Sequence, residues 1–225
     1  KQASIAFYNS AYIEYITAIF MTISGINFTL LLLFVNKKFK KFFENTELKW
    51  YLISIAVFTL FITAGLHRTT SMDLEESFRK SFFQVASLHT STGFATADYM
   101  TWEPILWASL CTLMVVGACA GSTSGGIKCI RMVIFTKTAR NEFKRIIHPN
   151  AVLPVRVNKQ VLPQTILNST LAFLFVYLMV VVISCLIYMS LGIGFLESVG
   201  AVISSIGNMG PGLGIIGPAY SWNAL

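Results

Sequence analysis

Charge is what this sequence lacks. Asp, Glu, Lys and Arg make up 12% of its 225 residues, against 55% hydrophobic. That is about half the charged share of a soluble domain. A soluble chain could not hide so much apolar surface, so a bilayer is the expected solvent. Four long runs carry no charge at all: 15–36, 50–66, 104–127 and 161–196. A spanning helix needs roughly 20 mostly apolar residues. The shortest run reaches that with Trp50, Tyr51 and His67 at the interfaces. Metal-ligand and disulfide patterns are also missing. Cys111, Cys119, Cys129 and Cys185 lie in or beside apolar runs, form no CxxC pair, and read as small packing residues. His67, His89 and His148 are isolated and take no metal role. None of the runs has the basic leader and small-residue cleavage site of a signal peptide.

The charge that is present is mostly positive, and it is localised. A net charge of +7 could suggest a nucleic-acid partner, but 13 of the 17 basic residues fall within 37–49 and 128–159. Both stretches border apolar runs, and the positive-inside rule puts them in the cytoplasm, where they orient the protein and can touch anionic lipid. No nucleic acid is expected. Helix one (13–36) then runs inward, helix two (48–67) outward, helix three (103–127, extending toward 146) inward, and helix four (162–190) outward.

The two outer segments contain similar pieces. Residues 74–89 (LEESFRKSFFQVASLH) read as an amphipathic helix with Phe78, Phe82, Val85 and Leu88 on one face. Residues 195–206 (FLESVGAVISSI) read as a short apolar helix of about 18 Å, too short to cross ~30 Å of hydrocarbon. Each precedes a glycine-bearing stretch, TSTGF at 90–94 and GNMGPGLG at 207–214. At an offset of 117, Ser81 aligns with Ser198, Val85 with Val202, Ser87 with Ser204 and Gly93 with Gly210. A repeated unit follows: helix, re-entrant helix, loop, helix. GIN at 25–27 also echoes GIK at 126–128. Hairpin repeats suit a pore around a pseudo-symmetric axis.

An ion filter replaces water with oxygens, and backbone carbonyls serve potassium well. Turning successive carbonyls inward needs unusual φ/ψ, hence glycine. Thr90, Ser91, Thr92, Gly93 and Phe94 fit this description, as do Ile206, Gly207, Asn208, Met209 and Gly210. Neither loop carries Asp or Glu, which favours carbonyls over a carboxylate ring. Each loop alone could be an ordinary turn; their duplication behind short helices favours a pore.

Gly117 to Gly126 (GACAGSTSGG) is ten small residues within helix three. A phosphate-binding P-loop fails, because Ile127 stands where its lysine belongs. Two readings remain. One is a GxxxG packing stripe of Gly117, Gly121 and Gly125. The other is a break forming an intramembrane loop, favoured by the weak helix propensity of Ser122, Thr123 and Ser124 and by their hydroxyls. In the second reading Gly117, Gly121, Ser122, Thr123, Ser124, Gly125 and Gly126 are a gate. Lys128 at its inner end either repels cations or extends to the headgroups.

FFQVASLHTSTGF, GACAGSTSGGIK and SSIGNMGPGLG together resemble the Trk/Ktr/HKT superfamily of potassium transporters, nearest its TrkH membrane subunits. The resemblance implies an all-α integral membrane fold of repeated helix–pore-helix–helix units around a pseudo-fourfold pore. It implies potassium uptake across the cell (inner) membrane, with the ion as cargo, no cofactor and no enzymatic step. It maps the filter glycines to Gly93 and Gly210, filter carbonyls to Ser91–Thr92 and Asn208–Met209, and the gating loop to Gly117–Gly126. It divides the chain into 1–46 (closing helix of a second unit), 47–160 (a third unit) and 161–225 (opening half of a fourth). Two of four filter segments cannot enclose an ion, so the sequence is expected to be part of a longer protein. A homodimer and a cytosolic nucleotide-binding regulatory subunit are the implied partners, the latter meeting the basic segment 136–159. The residues alone leave two alternatives: a secondary transporter of another small substrate using broken helices, and a structural membrane subunit without a pore.

Overall fold

The computed structural model describes residues 5–151 and 153–218. Nine α-helices form the described chain: α1 (Ala11–Ser24), α2 (Phe28–Val35), α3 (Phe39–Glu44), α4 (Thr46–Thr69), α5 (Leu74–His89), α6 (Pro104–Val116), α7 (Cys129–Ile147), α8 (Gln164–Ser190) and α9 (Phe195–Ile206). Among the described residues the only strands are β1 (Arg156–Val157) and β2 (Gln160–Val161), a two-residue antiparallel hairpin. The fold is otherwise helical. The ends of the first and last units drawn from the sequence, 1–4 and 219–225, lie outside the described residues.

Local chemistry sets the helix boundaries. The Asn45 side chain accepts from Leu48 N–H at 3.0 Å and starts α4. Pro104 occupies the first turn of α6, where no N–H is needed. The short helices α5 and α9 fall where the sequence placed them. Two helices, α4 and α8, are long and apolar enough to cross a membrane, and the bent pair α1–α2 is a third candidate.

Helix one is not continuous, contrary to expectation. It breaks at Gly25–Asn27, and α1 and α2 meet at 103°. Asn27 caps the new helix by accepting from Thr29 N–H at 2.8 Å. Gly25 is needed there for close approach, since an added Cβ would lie 2.3 Å from the Tyr51 hydroxyl. Helix three is also broken, between α6 and α7, across 117–128.

The core lies around α5. Val85 and Leu88 belong to a cluster with Tyr51, Ile62, Leu66, Leu106, Leu110 and Met114. Phe83 and Ala86 pack with Ala18 and Met21 of α1. The amphipathic stripe expected on α5 needs correction. Phe78 is 38% exposed and stacks on Phe82, whereas Ser77 and Ser81 are buried. Small serines let neighbouring helices approach the upper turns closely, and from Phe83 to Thr90 every residue is buried. One end of α5 is fixed electrostatically: Arg79 Nη1 lies 2.5 Å from the buried Glu14 carboxylate of α1.

Candidate functional site

The two glycine loops are built alike. At the end of α5, Thr90 N–H donates to Ala86 O, Ser91 N–H to Leu88 O, and Thr92 N–H to Ser87 O at 3.1, 3.3 and 2.9 Å. At the end of α9, Gly207 N–H donates to Ile203 O, Asn208 N–H to Ser205 O, and Met209 N–H to Ser204 O at 2.8, 3.1 and 2.8 Å. Every pair is related by the 117-residue offset. So is the backbone turn that follows, with φ of +58° at Ser91 and +52° at Asn208. The serine inside each turn also donates back to its loop, but to acceptors two positions apart in the repeat: Ser87 Oγ to Phe94 O at 2.6 Å, and Ser204 Oγ to Met209 O at 3.2 Å.

This geometry spends the loops' N–H groups inward on the helix ends. Among the described residues, the carbonyls of Ser91, Thr92, Gly207 and Asn208 accept no hydrogen bond. Ser91 and Thr92 are half-buried, Gly207 is buried and Asn208 is exposed, and their unbonded carbonyls are available to a ligand, whereas Met209 O is taken by Ser204 Oγ. The C-termini of α5 and α9 add partial negative charge beside them. Gly93 has φ +75°, where a side chain would be strained. Thr90 and Met209 are buried, and Phe94 and Asn208 are exposed. Beyond the glycines the Tyr99 hydroxyl ties the two loop regions by donating to Gly212 O at 2.7 Å.

The small-residue segment lies directly against both loops. Gly125 N–H donates to Ser91 Oγ at 3.0 Å. A Cβ on Gly125 would sit 2.2 Å from Gly207 O. The segment is a compact non-helical loop, so the GxxxG stripe does not exist as a helix face. Gly117, Gly121 and Gly126 all have positive φ. Ser124 Oγ accepts from Ala118 N–H at 3.1 Å, and Ser122 Oγ donates to Cys119 O at 2.7 Å. Thr123 is exposed. Lys128, itself at φ +80°, does not extend toward headgroups; its ammonium folds back onto Ser124 O and Ser124 Oγ.

The breaks in helices one and three also meet. Cys119 N–H donates to Gly25 O at 3.1 Å and Phe28 N–H to Gly121 O at 3.2 Å. The echo between 25–27 and 126–128 therefore marks two helix breaks that hydrogen-bond to each other.

The sequence reading missed Glu47. It is 6% exposed, and its Oε1 accepts from Ala120 N–H at 2.6 Å and Ile130 N–H at 3.2 Å. Its position just before an uncharged run reads as a solvated helix start; only the fold brings the segment to it. The basic segment is more ordered than a solvated loop. Lys137 Nζ donates to Arg156 O at 2.7 Å, and Asn141 Nδ2 to Leu153 O at 3.0 Å. The hairpin turn docks on the start of α4: Thr46 N–H donates to Asn158 Oδ1 at 2.8 Å and Asn158 N–H to Thr46 Oγ1 at 3.3 Å. Lys159 pairs with Glu44 and holds that carboxyl below its ordinary range.

Two re-entrant helices ending in matched glycine loops, with a broken helix packed beneath them, define an all-helical membrane protein of repeated helix–re-entrant helix–helix units. The sequence profile of the TrkH family, described as cation transport protein, matches residues 1–221. The chain belongs to that family. It is similar to the Trk system potassium uptake protein TrkH of Escherichia coli (strain K12), 33% identical over 97% of this chain and 46% of that protein. It is 32% identical to TrkG of the same strain, over 96% of this chain and 45% of that protein. The crystal structure of the potassium transporter TrkH from Vibrio parahaemolyticus superposes with a TM-score of 0.92 at 30% identity, covering 100% of this chain and 48% of that one. The chain thus spans about half the length of the relatives it matches.

Proposed function

We propose that this chain forms part of a potassium-uptake pore in the inner membrane. Residues 90–94 and 206–210 are two segments of its selectivity filter, and 117–126, with Lys128, is its gate. The matched geometry of the two loops carries the reading. Shared backbone hydrogen-bond registers and matched left-handed turns at Ser91 and Asn208 support a repeated filter turn, of the kind a pore around a pseudo-symmetric axis uses. The units 1–46, 47–160 and 161–225 are assigned on the same repeat.

The relatives named as Trk system potassium uptake proteins support potassium as cargo. The gate assignment is supported by contact of Gly125 with both loops. A homodimer and a cytosolic nucleotide-binding regulatory subunit complete the proposed assembly, with α7 and the hairpin facing the cytoplasm. The test is Gly93→Ser and Gly210→Ser in the full-length protein, comparing uptake of potassium and sodium. Both substitutions are expected to weaken preference for potassium. Gly93→Ser should act more strongly, because its φ of +75° disfavours a side chain. An unchanged ratio of the two ions would remove the filter assignment.

A further inference from the structure

We propose that Glu47 is the latch that holds the small-residue segment beneath the glycine loops, a positioning residue for the gate. The inference rests on the gate reading. A single carboxylate oxygen accepts from Ala120 N–H within the segment and from Ile130 N–H in the first turn of α7. It therefore bridges the loop side of the break and its helical side. The first N–H groups of a helix have no partner within it, and α7 has no side-chain cap of its own, because Lys128 occupies that position. Glu47 supplies that cap from another helix, with its charge opposite the positive end of α7. Charge-assisted bonds of this kind are about twice as strong as neutral ones.

The two bonds have different consequences. Swinging the segment aside must break the Ala120 bond and can leave the Ile130 bond intact. The Ala120 bond is thus specific to the packed arrangement, and only such a differential contact can bias a two-state element. The neighbouring residue gives the latch an input. Thr46 exchanges two hydrogen bonds with Asn158 of the hairpin turn. A pull on that turn reaches Glu47 through one peptide unit.

The test uses the full-length protein with Cys119, buried at 0% exposure, as the reporter cysteine and its other cysteines replaced by alanine. Alkylation of Cys119 by N-ethylmaleimide reads release of the segment, and rubidium flux reads the pore. Glu47→Ala should raise both by on the order of ten-fold, the effect of losing one charge-assisted bond. Glu47→Gln keeps an acceptor oxygen and should give a smaller rise. A parallel reporter with Cys185 alone should keep its parent rate. Parent-rate alkylation of Cys119 in both variants would overturn the latch, and an equal rise at Cys185 would overturn it in favour of general loosening. If Glu47→Ala fails to fold, Glu47→Gln decides by the same criterion. Faster alkylation with unchanged flux supports the latch and overturns the gate instead.

Discussion

At the scale of the residue, small size does two different jobs in this protein. Gly93 is required by its backbone angle. Gly125 is required by space, since its Cα faces the Gly207 carbonyl with no room for a methyl group. Ser91 shows how a residue other than glycine tolerates a left-handed conformation. Its turn has φ +58°, a strain of order 1–3 kcal/mol, and its hydroxyl is held by Gly125 N–H. The prediction at this scale is that Gly125→Ala forces the segment and the second loop apart. Overpacking of this kind costs typically about 1–3 kcal/mol. The full-length variant should unfold at lower temperature in a thermal-shift measurement, whereas Gly192→Ala, whose surroundings are open, should lose only what its own backbone angle costs. Unchanged thermal stability of Gly125→Ala would show that the close approach carries no strain.

At the scale of the element, the first and third helices drawn from the sequence both break, and for the same reason. A run of small or polar residues gives up helical hydrogen bonds where a neighbouring backbone can replace them. The breaks supply each other through Cys119 to Gly25 and Phe28 to Gly121, and Glu47 and Ser124 satisfy further N–H groups. Irregular backbone at membrane depth survives only when protein or a water-filled cavity surrounds it. On the gate reading, shortening 117–126 in the full-length protein should raise cation flux. Normal folding with unchanged or lower flux would leave the segment a packing role only.

At the scale of the whole molecule, the re-entrant helix α5 is what the other elements are arranged around. Glu14 and Arg79 pin it to α1, with side chains 7% and 16% exposed. Glu75 also reaches Arg79, at 3.2 Å. Removing Arg79 leaves the buried Glu14 carboxylate uncompensated and costs up to roughly 3–5 kcal/mol, whereas removing Glu14 leaves Arg79 its Glu75 partner and costs less. Arg79→Met and Glu14→Gln should therefore each lower stability more than the Glu14→Gln/Arg79→Met double variant does relative to either single change. Additive losses in a double-mutant cycle would show that the pair is not coupled.

What the sequence determined by itself was everything local or periodic. Uncharged runs gave the long helices α4 and α8, the amphipathic spacing of 74–89 gave α5, and the shortness of 195–206 gave α9. The 117-residue repeat gave both glycine loops, because turn geometry is written in adjacent residues. Only the tertiary structure decided how distant segments meet. It bent helix one at Gly25, turned Ser77 and Ser81 inward in place of Phe78, folded Lys128 back onto its own loop, and brought Glu47 to Ala120 and Ile130 across more than seventy residues of chain. Those outcomes depend on which backbone N–H groups are left without a partner once the helices pack. That need arises only when the chain is folded, so no single stretch of sequence records it.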